Sequence, residues 1–200
     1  MPLNLPNLLT WLRIIMIPLV IGVFYAPQAW LSSWQQNLIA TILFIGAAIT
    51  DWLDGYLARR LNQQSAFGAF LDPVADKLMI AAALIVLVQL QRADAIIAVV
   101  IIGREIAISA MREWMAKIGK SKSVAVNFLG KVKTISQMIA VPMLLYHDPI
   151  GPLDTQRIGN WLIYIAAILT LVSMFNYLQR ALEPRAPWDR RRIDRRGGGP

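Results

Sequence analysis

The chain has 200 residues, 56% of them hydrophobic and 16% charged, with a formal net charge of +8. Its mean hydropathy is +0.50 and its sequence pI about 10.2. The length suits one domain, but the apolar content excludes an ordinary soluble one, and a basic chain this apolar points to an anionic bilayer surface rather than to nucleic acid. There is no cysteine and a single histidine, His147, which excludes a disulfide framework, a thiolate metal site and a His-rich metal cluster.

Six apolar segments follow one another, each long enough to cross a bilayer, which takes about 20 residues. The first runs from about Leu8 to Tyr25. Met1 to Thr10 carries no Lys or Arg, and the first charge, Arg13, falls inside the apolar stretch. A secretory signal places its positive charge before the apolar core, so this stretch reads as a retained membrane helix. The second segment runs from about Leu38 to Leu57, and the third follows Asp72 and reaches Leu90. The fourth spans Ala95 to Met115, the fifth Phe128 to Tyr146 and the sixth Ile158 to Leu178. Pro18 and Pro142 fall inside segments, where a spanning helix tolerates a kink. Asp72 precedes Pro73, which places Asp72 in the first turn of its helix. Residues 1–182 therefore form one transmembrane domain. Residues 183–200, with six arginines between Arg185 and Arg196, form a basic tail that is expected to be disordered or to lie on the lipid surface.

Charge sets the orientation. The loop from Ala26 to Asn37 has no Lys or Arg, and the loops near Gln91 and His147 have only Arg92 and Arg157. The other side collects Arg59, Arg60, Lys117, Lys120, Lys122, Lys131, Lys133 and the arginine tail. By the positive-inside rule both termini are cytoplasmic. Trp11, Trp52 and Trp114 then sit near inner ends and Trp30, Trp34 and Trp161 near outer ends, as aromatic belts do.

The second segment ends in Asp51-Trp-Leu-Asp54-Gly55-Tyr-Leu-Ala58-Arg59. Helical offsets of 0, 3, 4, 7 and 8 share one face, so a single stripe carries two carboxylates, two small residues and a cation. Gly68, Asp72 and Asp76 follow at steps of four and share a face if that stretch is helical. Four carboxylates at a membrane boundary repel one another and resist burial. Hard divalent cations relieve both costs, and clustered carboxylate oxygens suit Mg²⁺ or Mn²⁺, which also bind phosphates. Two such ions can clamp a phosphoryl group, and with no histidine at hand a carboxylate is the natural general base. Helix caps and interfacial ion pairs explain any one of these aspartates as well, but not four at this spacing.

Asp51 to Asp76 reads D-x2-D-G-x2-A-R-x8-G-x3-D-x3-D, and by this motif the chain resembles the CDP-alcohol phosphotransferase family. The similarity covers most of the chain. Asn4 to Arg13 looks like the family's amino-terminal segment. Gly103 to Trp114 and Gly130 to Thr134 resemble one bacterial branch, the CDP-diacylglycerol–glycerol-3-phosphate 3-phosphatidyltransferases. The resemblance implies six helices around a cytoplasm-facing polar cavity, a homodimer in the bacterial inner membrane and two Mg²⁺ or Mn²⁺ ions. It implies that Asp51 and Asp72 bridge the ions, that Asp54 and Asp76 complete one site each, and that Asp76 is the base. Asn7, Thr10, Gly55, Arg59 and Ser65 would contact the CDP-lipid.

The acceptor implied by that branch, sn-glycerol 3-phosphate, is a small dianion and needs cations. Arg104 and Arg112 share a helix face, and Lys131 and Lys133 begin the next segment on the same membrane side. Arg grips phosphate through two parallel hydrogen bonds, and Lys acts as a point charge. Other acceptors of the same family, phosphatidylglycerol, inositol phosphate or serine, share the aspartates, although the arginine face disfavours serine. A divalent-cation transporter is the reading from another class. It fits less well, because all four aspartates fall toward one end of their segments, whereas a transport path binds near the midplane. His147 reads as an outer-loop residue without a catalytic role.

Overall fold

A computed structural model of the chain describes residues 5–61, 66–117 and 128–182. Among them are six helices: α1 (Leu5–Val23), α2 (Ser33–Leu61), α3 (Ala66–Gln89), α4 (Ala95–Lys117), α5 (Phe128–Tyr146) and α6 (Thr155–Leu182). No strand occurs among the described residues beyond an isolated bridge between Ile150 and Leu153. The fold is all-α, and every apolar segment of the sequence is the body of one helix. The basic tail, residues 183–200, lies outside the described residues.

One helix start differs from the expectation. Asp72 and Pro73 are not in the first turn, because α3 begins at Ala66 and Pro73 lies inside it. Ala66-Phe-Gly-Ala-Phe-Leu71 extends the helix backward, and Pro73 then costs one backbone hydrogen bond, to residue 69. The shared face of Gly68, Asp72 and Asp76 survives, since all three are helical.

α3 is the axis of the bundle and packs against α1, α2, α4 and α5. Its residues Ala75, Ala83, Leu84 and Leu87 are fully buried. Around it, Phe44 of α2, Ile101 of α4, Val141 and Leu144 of α5 and Ile163 of α6 complete the apolar core. The exterior is just as apolar: Ile42, Ile85, Ile96, Val99, Ile106, Ile168 and Phe175 are all exposed, whereas Arg13, Arg104, Lys133, Thr170 and Ser173 are buried. An apolar outside around a partly polar inside is the arrangement of a membrane protein. Two stretches, Ser33–Leu57 and Thr155–Asn176, are long and apolar enough to cross a bilayer.

The helices run alternately up and down, so their ends gather into two layers. One layer is a polar clasp. Arg92, in the α3–α4 turn, donates to Asn37 Oδ1 of α2 and to the Leu145 carbonyl of α5, both at 2.8 Å. Its guanidinium also lies over the Phe24 ring, 5.8 Å from the centroid. Asn37 in turn donates to Asp148 at 3.0 Å. His147 belongs to this layer, roughly 20 Å along α5 from Lys133 at 1.5 Å per residue. Burial and the nearby Arg92 charge lower its pKa, so it is neutral near pH 7.

α5 and α6 approach closely at Gly159, where a Cβ would fall 2.8 Å from Leu144 Cγ and 3.3 Å from the Ala140 carbonyl oxygen. A side chain there must displace the buried Leu144 side chain or push the helices apart. Gly159→Ala is expected to destabilise the protein by about 1–3 kcal/mol, the cost typical of overpacking. A lowered thermal unfolding midpoint in detergent, with unchanged helicity, is the check.

Candidate functional site

The opposite layer receives the amino-terminal halves of α1, α3 and α5 and the carboxy-terminal halves of α2, α4 and α6. Consequently Asp51 and Asp54, near the end of α2, meet Asp72 and Asp76, in the first half of α3. Both stripes face α1. Arg13 of α1 is 1% exposed and stands among three of the carboxylates. Its Nη1 lies 2.8 Å from Asp51 Oδ1 and 2.5 Å from Asp76 Oδ1, and its Nη2 bonds Asp54 Oδ2. Thr10, one turn earlier, donates to Asp72 Oδ1 at 2.6 Å. α1 thus touches all four aspartates.

Asp51 and Asp76 also line a cavity of about 430 Å³. Its lining is rich in cations, with Lys77 of α3, Arg104 and Arg112 of α4 and Lys133 of α5, and Glu105 bonds both Arg104 and Lys133. Glu105 Oε1 accepts from Lys133 Nζ and, at 3.1 Å, from Arg104 Nη1. Arg104 Nη2 donates to Ser173 of α6 at 2.9 Å, which fixes its guanidinium. A larger hollow of about 590 Å³ lies against the first turns of α6, lined by Asp154, Arg157 and Trp161 among others. It sits in the other layer, and its Asp154 and Arg157 are an exposed pair 3.9 Å apart. The chemistry is concentrated in the smaller, charged cavity.

The sequence-based assignments fare unevenly. Asp51, Asp54, Asp72, Asp76 and Thr10 are brought together. Arg104, Arg112 and Lys133 share a cavity with two of the aspartates. Gly55 lies on α2 one residue beyond Asp54. The side chains of Asn7, Arg59 and Lys131, and Ser65 altogether, lie outside the described residues. Two site residues carry no role in the sequence reading: Arg13 and Glu105. Arg13 had a signal, being a lone cation inside an apolar helix, where an ionisable group marks function by default. Glu105 had none, because a carboxylate beside Arg104 reads as an ordinary neighbouring pair.

Among the described residues, no three His, Asp or Glu side chains form a ready cage for a metal ion. Three of the aspartates are drawn around the Arg13 guanidinium and the fourth, Asp72, is held by Thr10. The donor set nevertheless fits hard divalent ions: it consists of carboxylate oxygens alone, and it already gathers around a positive charge.

A helical membrane fold with an aspartate cluster opening onto a cationic cavity is the setting for phosphate-bearing substrates. Residues 3–172 match the family described as CDP-alcohol phosphatidyltransferase, and the chain belongs to that family. A CDP-diacylglycerol–glycerol-3-phosphate 3-phosphatidyltransferase of Salmonella choleraesuis is 47% identical over 183 residues, covering 90% of this chain and 96% of that protein. Proteins of the same name from Shigella flexneri serotype 5b and Escherichia coli K12 are 46% identical over the same shares.

Proposed function

We infer that the protein transfers the phosphatidyl group of CDP-diacylglycerol to the 1-hydroxyl of sn-glycerol 3-phosphate, forming phosphatidylglycerophosphate and CMP. The observation that carries this reading is the shared cavity, which Asp51 and Asp76 line together with Arg104, Arg112 and Lys133. The acceptor phosphate binds these cations, which turns the glycerol hydroxyls toward the aspartates. Glu105 holds Lys133 and Arg104 in place and limits the net positive charge, so the cavity binds a small anion without attracting every anion in reach. Asp76 opens onto the cavity and takes the proton of the attacking hydroxyl. That oxygen bonds to the β-phosphorus of CDP-diacylglycerol, the bond to the CMP oxygen breaks, and CMP leaves.

Asp51, Asp54, Asp72 and Asp76 would hold two Mg²⁺ or Mn²⁺ ions, which when bound supply the positive charge that phosphoryl transfer requires. Thr10 orients Asp72 through its hydroxyl. The remaining CDP-lipid contacts, Asn7, Gly55, Arg59 and Ser65, rest on the family resemblance.

The same reading places all six helices across the bacterial inner membrane, with both termini and the cavity cytoplasmic and the protein a homodimer. Supporting it, Trp52 and Trp114 are exposed in the cavity layer and Trp30, Trp34 and Trp161 in the other, so both layers have interfacial aromatics. Trp52 stacks on Tyr56 at 5.9 Å, and Arg60 lies 5.5 Å over the Tyr56 ring, a cationic and aromatic strip suited to a headgroup region. The acyl chains stay in lipid while cytidine and phosphates enter the cavity.

The acceptor is tested by following CMP release from CDP-diacylglycerol with Mn²⁺ and a panel of glycerol 3-phosphate, inositol phosphate, phosphatidylglycerol and serine. Glycerol 3-phosphate is expected to support release far above the others. Preference for any other acceptor would refute the assignment.

A further inference from the structure

Arg13 is the sole charged residue of α1. It is fully enclosed, yet one guanidinium serves Asp51, Asp54 and Asp76, and its Nε is buried without a partner. A cation in a low-dielectric pocket is costly unless paired, and so are several carboxylates in contact. Each therefore keeps the other in place. The pairing is nevertheless unequal, because one positive charge faces three carboxylates, with Asp72 beside them on Thr10. Two divalent ions would balance four carboxylates completely, and they bind through the same oxygen lone pairs that now accept from Arg13. The guanidinium and a metal ion repel each other and draw on the same oxygens, so each weakens the other's hold on them.

We propose that Arg13 is a built-in counter-cation for the aspartate cluster, holding Asp51, Asp54 and Asp76 before divalent ions bind and competing with the ions for those carboxylates. The inference rests on the metal-binding reading given above and adds an exchange to it. The small space around Arg13 is lined by Asp51, Asp76, Ile80 and Met138, which also line the substrate cavity. A guanidinium displaced by metal thus moves toward the side from which phosphates arrive, and its forked donors suit phosphate oxygens as well as they suit carboxylates.

The test is Mn²⁺ binding followed by electron paramagnetic resonance on purified parent, Arg13→Met and Arg13→Lys, with thermal unfolding of each in chelator and in Mn²⁺. Arg13→Met removes the competitor, so it is expected to bind Mn²⁺ about tenfold or more tightly than the parent, within the range of ordinary coupling between linked ligands. In chelator it is expected to unfold at a lower temperature than the parent, and Mn²⁺ closes that gap. Arg13→Lys keeps the charge but loses the fork, so its affinity falls between the two. It also carries the test should Arg13→Met fail to fold. Equal or weaker Mn²⁺ binding by the variants, with a parent that binds Mn²⁺, would overturn the competition alone. A parent that binds no Mn²⁺ would overturn the metal reading itself.

Discussion

Replacing Asp76 by Asn is expected to cut CMP release by about three orders of magnitude at saturating glycerol 3-phosphate and Mn²⁺. Loss of a positioned general base alone accounts for 10²- to 10⁴-fold. The reasoning is local. Of the three carboxylates on Arg13, Asp76 is the most open, with 43% of its side chain exposed against 35% for Asp51 and 5% for Asp54. It is therefore the one best placed to meet a hydroxyl from the cavity. Asn has the same shape and still accepts from Arg13 through its amide oxygen, so the bundle is expected to fold. It has no oxygen basic enough to take a proton. The measurement is the rate of CMP release beside the thermal unfolding midpoint; a parental rate in folded Asp76→Asn would remove Asp76 as the base.

The second large effect falls on the acceptor. Lys133 is 4% exposed and bonded to Glu105. Lys133→Met removes a point charge from the cavity lining and leaves Glu105 facing the acceptor phosphate with one partner fewer. Truncating one member of a buried charge pair at a binding site costs about 2–5 kcal/mol. The expected result is a drop of about 10²-fold or more in kcat/KM for glycerol 3-phosphate, mostly through KM, because the charge binds the acceptor before and during transfer alike. The KM for CDP-diacylglycerol stays near its parental value, since that substrate lies toward the aspartates. Equal losses for both substrates would move Lys133 out of the acceptor site and into the general architecture.

Much of the bundle is legible in the sequence because lipid imposes a simple rule. Each helix needs an apolar run long enough to cross the bilayer, so those runs mark the helix bodies. Phe128 and Tyr146 bound α5 in the sequence and in the structure alike. The start of α3 was harder to place. Pro73 marks a helix start in water-soluble proteins, but here Ala66 to Leu71 continue the helix across it. The aspartates were legible because their steps of three and four put them on one stripe of each helix; that both stripes turn toward α1 was not. Arg104, Arg112 and Lys133 were legible as cations on one side.

Pairing partners were not legible. Which carboxylate meets which cation depends on how α1 and α5 lean against α2, α3 and α4, and periodicity is silent on that. Arg13 and Asp76 are 63 positions apart, and Lys133 and Glu105 28. Ser173, which holds Arg104 from α6, is further still in sequence, at 69 positions. Such contacts are set by packing of the whole bundle rather than by any segment of it.

The central claim is that the aspartate cluster works with divalent ions to move a phosphatidyl group onto glycerol 3-phosphate. Its most direct test is CMP release from CDP-diacylglycerol by purified protein stripped with chelator, as Mn²⁺ or Mg²⁺ is titrated back. No release is expected without metal. Release should return with either ion and require glycerol 3-phosphate, and it should not return in Asp51→Asn. CMP released at the full rate in chelator would contradict the account.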